Sequence, residues 1–409
     1  IELKEIDIHS EDVDNNTILH IVCINDDDNI SLFQYLHHLL KMNLNKTNID
    51  GNTLLHLASE HGNIEITKYL IDSKEIEIDS RNKYNETILH LAINSGNLEL
   101  VKYIESLKCI DPKSVNCYGE TFLHYSVKTG NIELIKYFIY SNNIDINSKD
   151  YHNRNILHIG IKNNNLEVVK FLIELNELEI ESKDDAGNNI MHYSSSTGNL
   201  ELFEYLYTKY EKRLNIKEKN YKQKNIIHLG CKSGKVELVE YIIKHMNNIQ
   251  DKDDKGRTVL HYAIKSGNID LFKYLLSYKQ IDLNSKGGNE GRTILHEICL
   301  LGDYNLVKYI ISLNRANVNL VDDSSNTIVH YGIESGNLEL AKYLLTLNIT
   351  NVFPSENNMK TILHSAIESK NLSMVQYVIS LKKVDINHRD SHYKTALHYS
   401  CELKTCEIT

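Results

Sequence analysis

The sequence predicts an all-α solenoid, a stack of about twelve helix–turn–helix units with projecting turns. The first observation is a histidine that recurs every 33 to 36 residues and always follows a Thr or Asn by three positions. The second is a glycine six residues after that histidine in eight of the copies. A fixed period of this size indicates one unit copied many times, which buries its apolar face only by stacking on its neighbours. The recurring histidines are His20, His56, His90, His124, His158, His192, His228, His261, His296, His330, His364 and His398.

One copy, residues 83–116, shows how each element arises. Residues 83–86 are polar and predict a turn, and Thr87 predicts a helix cap because its hydroxyl can satisfy amides of the first turn. Apolar residues at helical spacing then give a first helix one buried face. Gly96 ends this helix, since glycine adopts the left-handed conformation that helix C-termini often need. Residues 98–104 predict an amphipathic second helix, and an extended loop leads to the next turn.

Departures from this pattern predict local differences between copies. Asn164 replaces the glycine once and tolerates the same backbone conformation, whereas Lys370 predicts a looser turn. A small residue usually stands two positions after the histidine and lets neighbouring helices approach closely. Val22 and Ile298 are larger residues at that position, so we expect the stack to widen there.

The period also defines the organisation of the chain. We predict an N-terminal lead-in at residues 1–12 and a repeat array over residues 13–409. Because the chain begins with Ile1 and its last copy stops inside the second helix, we expect a fragment of a longer protein. The repeats are expected near 13–48, 49–82, 83–116, 117–150, 151–184, 185–220, 221–253, 254–288, 289–322, 323–356 and 357–390, with a partial copy at 391–409.

The composition restricts the expected partners and location. Hydrophobic residues make up 41% and charged residues 24%, which is ordinary for a soluble protein, and no apolar run could span a membrane. The formal net charge of −10 and the lack of a Lys/Arg block argue against nucleic acid. Seven cysteines without a paired framework favour a cytoplasmic protein. We therefore expect protein partners, basic or neutral ones above all, with no nucleic acid and no direct membrane insertion.

Two motifs carry a resemblance to a known family. Residues 53–58, Thr-Leu-Leu-His-Leu-Ala, and residues 97–104, Asn-Leu-Glu-Leu-Val-Lys-Tyr-Ile, are similar to the ankyrin-repeat signature of Thr-Pro-Leu-His-x-Ala, a Gly-ended first helix and an apolar second helix. The resemblance covers residues 13–409, although the motif proline is absent from every copy. It implies paired antiparallel helices, a concave inner surface that binds proteins, and a histidine that bonds the capping Thr and the adjoining loop.

Nothing in the sequence points to catalysis, a cofactor or a metal. Equivalent side chains of stacked helices lie about 8–10 Å apart, so two recurring histidines cannot share a metal ion. His296-Glu297 lacks the second histidine of a zinc-protease helix, and residues 287–291 lack the Lys-Ser/Thr of a phosphate-binding loop. We predict that the protein is not an enzyme and has no catalytic, cofactor-binding or metal-binding residues.

The candidate partner-binding residues are tyrosines that directly follow the recurring histidine in every second copy. In the resembled family this position lies on the concave inner surface, so we predict half-exposed side chains that anchor a partner. The alternative is a variable position occupied by a frequent residue, since the chain has 25 tyrosines. The five candidates are Tyr125, Tyr193, Tyr262, Tyr331 and Tyr399.

A second aromatic column runs along the predicted second helices, with a Tyr or Phe near the middle of each. Packing between repeats explains it, with the phenol oxygen reaching solvent. The alternative is an outer stripe that contacts a partner.

These observations predict a non-enzymatic scaffold or adaptor that binds proteins along an extended concave surface. The alternative is a regulatory or targeting domain of a larger enzyme or ion channel, because the resembled family is often fused to both.

Overall fold

The computed structural model describes residues 10–25, 29–141, 144–245, 249–347, 349–350, 352 and 360–402. Within these ranges the chain forms 23 helices and two isolated β-bridges, so the predicted all-α architecture is confirmed. The helices alternate between a first and a second helix of each repeat. The first helices are α1 (Ile18–Ile24), α3 (Leu54–Glu60), α5 (Ile88–Asn94), α7 (Phe122–Thr129), α9 (Ile156–Lys162), α11 (Ile190–Thr197), α13 (Ile226–Ser233), α15 (Val259–Ser266), α17 (Ile294–Leu301), α19 (Ile328–Glu334), α21 (Ile362–Glu368) and α23 (Ala396–Glu402). The second helices are α2 (Ile30–Leu40), α4 (Ile64–Asp72), α6 (Leu98–Ser106), α8 (Ile132–Ser141), α10 (Leu166–Glu174), α12 (Leu200–Tyr210), α14 (Val236–His245), α16 (Ile269–Leu276), α18 (Tyr304–Ser312), α20 (Leu338–Thr346) and α22 (Leu372–Ser380).

The chain packs into two compact units. The first comprises Ile1–Thr197 and Glu201–Leu214, and the second comprises Gly198–Leu200 and Asn215–Thr409. Each unit stacks its helix pairs around a core of Leu, Ile, Val and Phe side chains, most of them fully buried. Residues 1–9 of the predicted lead-in at 1–12 lie outside the described residues. Residues 403–409 of the last partial copy also lie outside them. The predicted repeat boundaries stay a prediction.

The glycines after the first helices adopt the predicted left-handed conformation. All eight have φ between +72° and +77°, where a Cβ would be strained. Asn164 at +59° and Lys370 at +54° occupy the same region, so the turn geometry is kept without glycine. Asn tolerates this region better than Lys, and the cost is therefore concentrated at Lys370.

Asparagines at the start of the second helices link one repeat to the next. Asn268 shows the arrangement: its Oδ1 accepts the Leu271 N–H at 3.0 Å, and its Nδ2 donates to the Gly234 carbonyl at 2.7 Å. One side chain thus caps its own helix and satisfies an exposed carbonyl of the preceding turn. The same interaction with the preceding glycine is made by Asn97, Asn131, Asn337 and Asn371. Lys235 occupies this position at the start of α14 and cannot accept the helix N–H.

Replacing Asn268 with Ala is expected to lower the free energy of unfolding by about 1–3 kcal/mol, because a cap is lost and a carbonyl is left unpaired. The matched change Lys235→Asn should raise the free energy of unfolding by about 0.5–1 kcal/mol, because it introduces the missing cap. Urea unfolding followed by circular dichroism measures both. An Ala variant as stable as the original protein would show that these asparagines do not couple the repeats.

The stack of the second unit opens between α15 and α17, which pack less closely than the other consecutive first helices there. Ile298 replaces the usual small residue on α17, and the equivalent Gly160 faces Val127 of the preceding first helix. Val127 is fully buried, whereas its counterpart on α15, Ile264, is partly exposed. The widening predicted at Ile298 is therefore confirmed. Val22 lies on the first described helix, where no preceding helix is described.

Candidate interaction surface

The five candidate tyrosines lie on the first helices, but three of them are buried. Tyr125, Tyr262 and Tyr331 are only 3–4% exposed, so the expectation of half-exposed anchors is wrong for these residues. Tyr193 and Tyr399 are partly exposed, as expected. Whether any of the five contacts a partner stays a prediction.

The hydroxyl of each tyrosine donates to a carboxylate close to the projecting turn. Tyr262 donates to Asp253 Oδ2 at 2.6 Å, while Asp253 Oδ1 accepts the N–H groups of Lys255 and Arg257 at 2.9 Å. The tyrosine therefore attaches the turn to the helix that follows it. Burial, and then the hydrogen bond to Asp253, raise the pKa of Tyr262 far above its ordinary value. The other donors are Tyr193 to Asp184 at 2.9 Å, Tyr399 to Asp390 at 2.6 Å, Tyr331 to Asp322 and Tyr125 to Glu86.

Each tyrosine ring also packs edge-on against the recurring histidine of the preceding repeat, with ring centroids 5.0–5.5 Å apart. Each of these tyrosines therefore links two neighbouring repeats. The pairs are His90–Tyr125, His158–Tyr193, His228–Tyr262, His296–Tyr331 and His364–Tyr399.

Seven of the recurring histidines make the loop contact that the family resemblance implies, whereas the buried Nε2 atoms of His90, His158 and His296 have no hydrogen-bond partner. His330 Nδ1 accepts the Thr327 N–H at 3.2 Å and lies 3.0 Å from Thr327 Oγ1, and its Nε2 lies 3.1 Å from the Lys360 carbonyl of the next turn. This pattern requires a neutral ring with its proton on Nε2. Burial lowers the pKa of His330 to about 4. Equivalent Nε2–carbonyl contacts of 3.1–3.3 Å are made by His20, His56, His124, His228, His261 and His364.

The outer aromatic column contacts lysines of the preceding repeat. Lys102 Nζ lies 5.6 Å from the ring centroid of Tyr137, and Lys136 Nζ lies 5.5 Å from that of Phe171. Such cation–π contacts favour the interpretation of this column as packing between repeats. The alternative of an outer partner-binding stripe is not tested by these contacts.

A charged surface that sequence reasoning missed lies on α13, α15 and the turns that precede them. It consists of Lys224, Lys232, Arg257 and Lys265, which we call the cationic surface. Lys224 Nζ and Arg257 Cζ lie 5.4 and 5.3 Å from the Tyr262 ring centroid. Burial, and then the neighbouring Arg257, lower the pKa of Lys224, which also senses Lys232. These residues are scattered along the sequence, and comparing equivalent positions of consecutive repeats is the signal that would have found them.

The described residues were searched for metal-binding clusters and for membrane-spanning helices. They contain no group of three or more His, Cys, Asp or Glu side chains that could hold a metal ion. No helix within them is both long and apolar enough to cross a membrane.

Comparison with known protein families agrees with this architecture. A family model described as ankyrin repeats (3 copies) matches residues 2–82, 19–116, 75–150, 150–220, 191–287 and 281–353. The crystal structure of the human ASB11 ankyrin repeat domain is similar at 19% identity and a TM-score of 0.46, over 56% of this chain and 98% of that chain. No curated protein matches the chain.

Proposed function

Because this chain belongs to the ankyrin-repeat family, whose repeats are generally protein–protein interaction modules, we propose that it is a non-enzymatic scaffold or adaptor that binds proteins. We infer that the binding surface comprises the first helices and the projecting turns of consecutive repeats within each unit. We place the protein in the cytoplasm, because the spacing of its seven cysteines does not form a disulfide framework in the sequence.

The observation that carries this proposal is the way in which neighbouring turns are joined. The Lys83 N–H donates to the Asp50 carbonyl at 2.9 Å, and the Cys117 N–H donates to the Tyr84 carbonyl at 2.8 Å. In the second unit, the Asp323 N–H donates to the Glu290 carbonyl at 3.0 Å. A surface held by such bonds loses little conformational entropy on binding, which favours rigid display of many modest contacts.

In this proposal only two of the five candidate tyrosines contact a partner directly. Tyr193 and Tyr399 retain exposed ring area and can contact a partner directly. Tyr125, Tyr262 and Tyr331 contribute by holding the turns in place, since their hydroxyls are bonded and their rings are buried.

The test is affinity purification with the intact chain, followed by titration calorimetry with each purified candidate partner. We expect saturable binding and slower amide hydrogen exchange in the first helices and turns of the complex. Failure to obtain any saturable protein partner would overturn the proposal. Protection confined to the second helices would overturn the assignment of the surface.

A further inference from the structure

Three consecutive projecting turns of the first unit carry exposed tyrosines, which we call the turn tyrosines: Tyr84, Tyr118 and Tyr151. Their side chains are 43%, 49% and 67% exposed. The turn before them carries Asp50-Gly51 and the turn after them Asp185-Ala186, so the run comprises three repeats. Neighbouring exposed aromatic rings are typical of interaction sites, because tyrosine offers a large contact area and loses little conformational entropy on binding.

The turn tyrosines form one continuous surface, because successive turns are bonded to one another. The Cys117 N–H donates to the Tyr84 carbonyl at 2.8 Å, and the Tyr151 N–H donates to the Tyr118 carbonyl at 2.9 Å. The Tyr151 ring also lies over Gly119 of the preceding turn, where a Cβ would be only 2.5 Å from Cδ1 of the ring. A segment that contacts one ring therefore meets the next within one repeat spacing of about 8–10 Å.

The charges that act on Tyr84 are negative. The charge of Asp50 raises the pKa of Tyr84 most, and burial raises it next. Tyr118 and Glu86 raise this pKa further. Asp50 and Glu86 are both partly exposed, so a ligand at these turns meets their carboxylates as well as the rings.

The neighbouring cations do not pair with these two carboxylates. The Arg81 guanidinium donates to a carbonyl of its own turn and to the Ser114 hydroxyl, both at 3.0 Å. Lys128 is paired with Glu120 at 2.5 Å. Lys83 is exposed and, like Arg81, forms no ion pair with a carboxylate among the described residues. The carboxylates beside the turn tyrosines are therefore not neutralised by direct contact.

A comparison of equivalent positions shows that this charge pattern is local. Glu60 and Glu334 both lie at the ends of first helices, α3 and α19, and burial raises the pKa of each. Around Glu334 the cations Lys360 and Arg292 oppose this effect. Around Glu60 only His61 opposes it, and the two carboxylates beside the turn tyrosines reinforce it.

We propose that the turn tyrosines, together with Asp50 and Glu86, bind a basic, arginine-containing segment of a protein partner. Arginine side chains lie against the tyrosine rings, where planar guanidinium groups stack well, and their charges face the carboxylates. The inference rests on the proposed function and adds the residues and the chemistry of the partner. It agrees with the formal net charge of −10, which favours basic partners. Nucleic acid also stacks on tyrosine, but its phosphates would meet these carboxylates.

The probe is a fluorescein-labelled peptide of alternating Arg and Ser residues, titrated with the intact protein and read by fluorescence anisotropy. We expect saturable binding that weakens with added salt, since the contacts are partly ionic. The variant Tyr84→Ser/Tyr118→Ser/Tyr151→Ser should weaken it at least about tenfold, because three exposed rings are lost. The control Tyr221→Ser/Tyr393→Ser removes turn tyrosines of the second unit that are 70% and 71% exposed, and should leave the affinity unchanged.

The charge is tested separately. Asp50→Lys should weaken binding of the Arg peptide at least about fivefold, because the new charge is repulsive. The control Asp254→Lys makes the same charge change at an exposed turn residue of the second unit and should have no effect. A peptide of alternating Glu and Ser residues should bind the original protein at least about tenfold more weakly than the Arg peptide.

Three results would overturn the proposal. They are the absence of saturable binding of the Arg peptide, equal affinity of the original protein and the triple Ser variant, and a Glu peptide that binds as tightly as the Arg peptide. Tighter binding of an oligothymidylate of equal length, lost in the triple Ser variant, would overturn it in favour of nucleic acid. Circular dichroism melts verify folding, and Tyr118→Ser alone, expected to weaken binding about threefold, replaces the triple variant if that variant does not fold.

The two proposals fail in distinguishable ways. A purified native partner that binds the triple Ser variant with unchanged affinity leaves the scaffold function intact and refutes only this surface. The absence of any saturable protein partner refutes the scaffold function itself.

Discussion

Between pH 7 and pH 5 the folded protein is expected to lose about 2 kcal/mol of unfolding free energy for each fully buried histidine. Burial lowers the pKa of six of them to about 4, against an ordinary value of 6.5. As the pH falls below 6.5 the unfolded chain takes up protons that the folded chain excludes until about pH 4. The stabilising contribution of these neutral histidines is therefore fully present above pH 6.5, and it is lost progressively as the pH falls from 6.5 to about 4.

The cause is visible at His330. Its Nδ1 is an acceptor for the Thr327 N–H, so protonation of this nitrogen would remove a bond as well as charge a buried ring. Burial is the largest effect on the pKa of His330 and opposes the charged ring, as do the charges of Lys360 and His296, whereas the Lys360 carbonyl and Asp322 favour it. The six histidines are His56, His158, His228, His261, His296 and His330.

Urea unfolding at pH 7 and pH 5 measures this effect, and His330→Gln is the control. The Gln variant should be less stable at pH 7 but should lose about 2 kcal/mol less on acidification than the original protein, because one titrating group is gone. An equal loss in both proteins would mean that this histidine does not resist protonation in the folded state.

Replacing Tyr262 with Ala is expected to lower the free energy of unfolding by about 3–5 kcal/mol, a cost typical of removing a buried aromatic ring. The ring is 4% exposed, packs against His228 with centroids 5.4 Å apart, and has Lys224 and Arg257 over its face. Tyr262→Phe should cost about 1–3 kcal/mol, because it removes only the hydrogen bond to Asp253 and keeps the ring.

Tyr221, which is 70% exposed in the same unit, is the matched control. Tyr221→Ala should change stability by no more than about 0.5 kcal/mol. Urea unfolding compares the three variants. If Tyr262→Ala unfolds with the stability of the original protein, the ring has no structural role, and a direct contact with a partner becomes its better explanation.

Much of the fold could be predicted from short-range patterns. The spacing of Thr, histidine and glycine within one copy is enough to define two helices and their caps, because caps and left-handed turns depend on residues only a few positions apart. Gly130 and Asn164, for example, adopt the conformation that their position predicts. The repeat period then implies stacking, since neither helix can bury its apolar face alone.

The surface was decided by contacts that the period does not encode. The position directly after the histidine predicts which face of the helix a tyrosine occupies. The burial of Tyr262, however, depends on His228 and Asp253, which contact it only in the folded structure. The cationic surface likewise depends on residues of two different repeats, since Arg257 acts on Lys224 only in the stacked structure. The sequence by itself determined the repeat, its helix caps and the left-handed residues that end the first helices, because these features depend on local interactions. Only the tertiary structure decided which side chains are exposed and which charges lie close together, because burial and electrostatic interactions depend on neighbours distant in the chain.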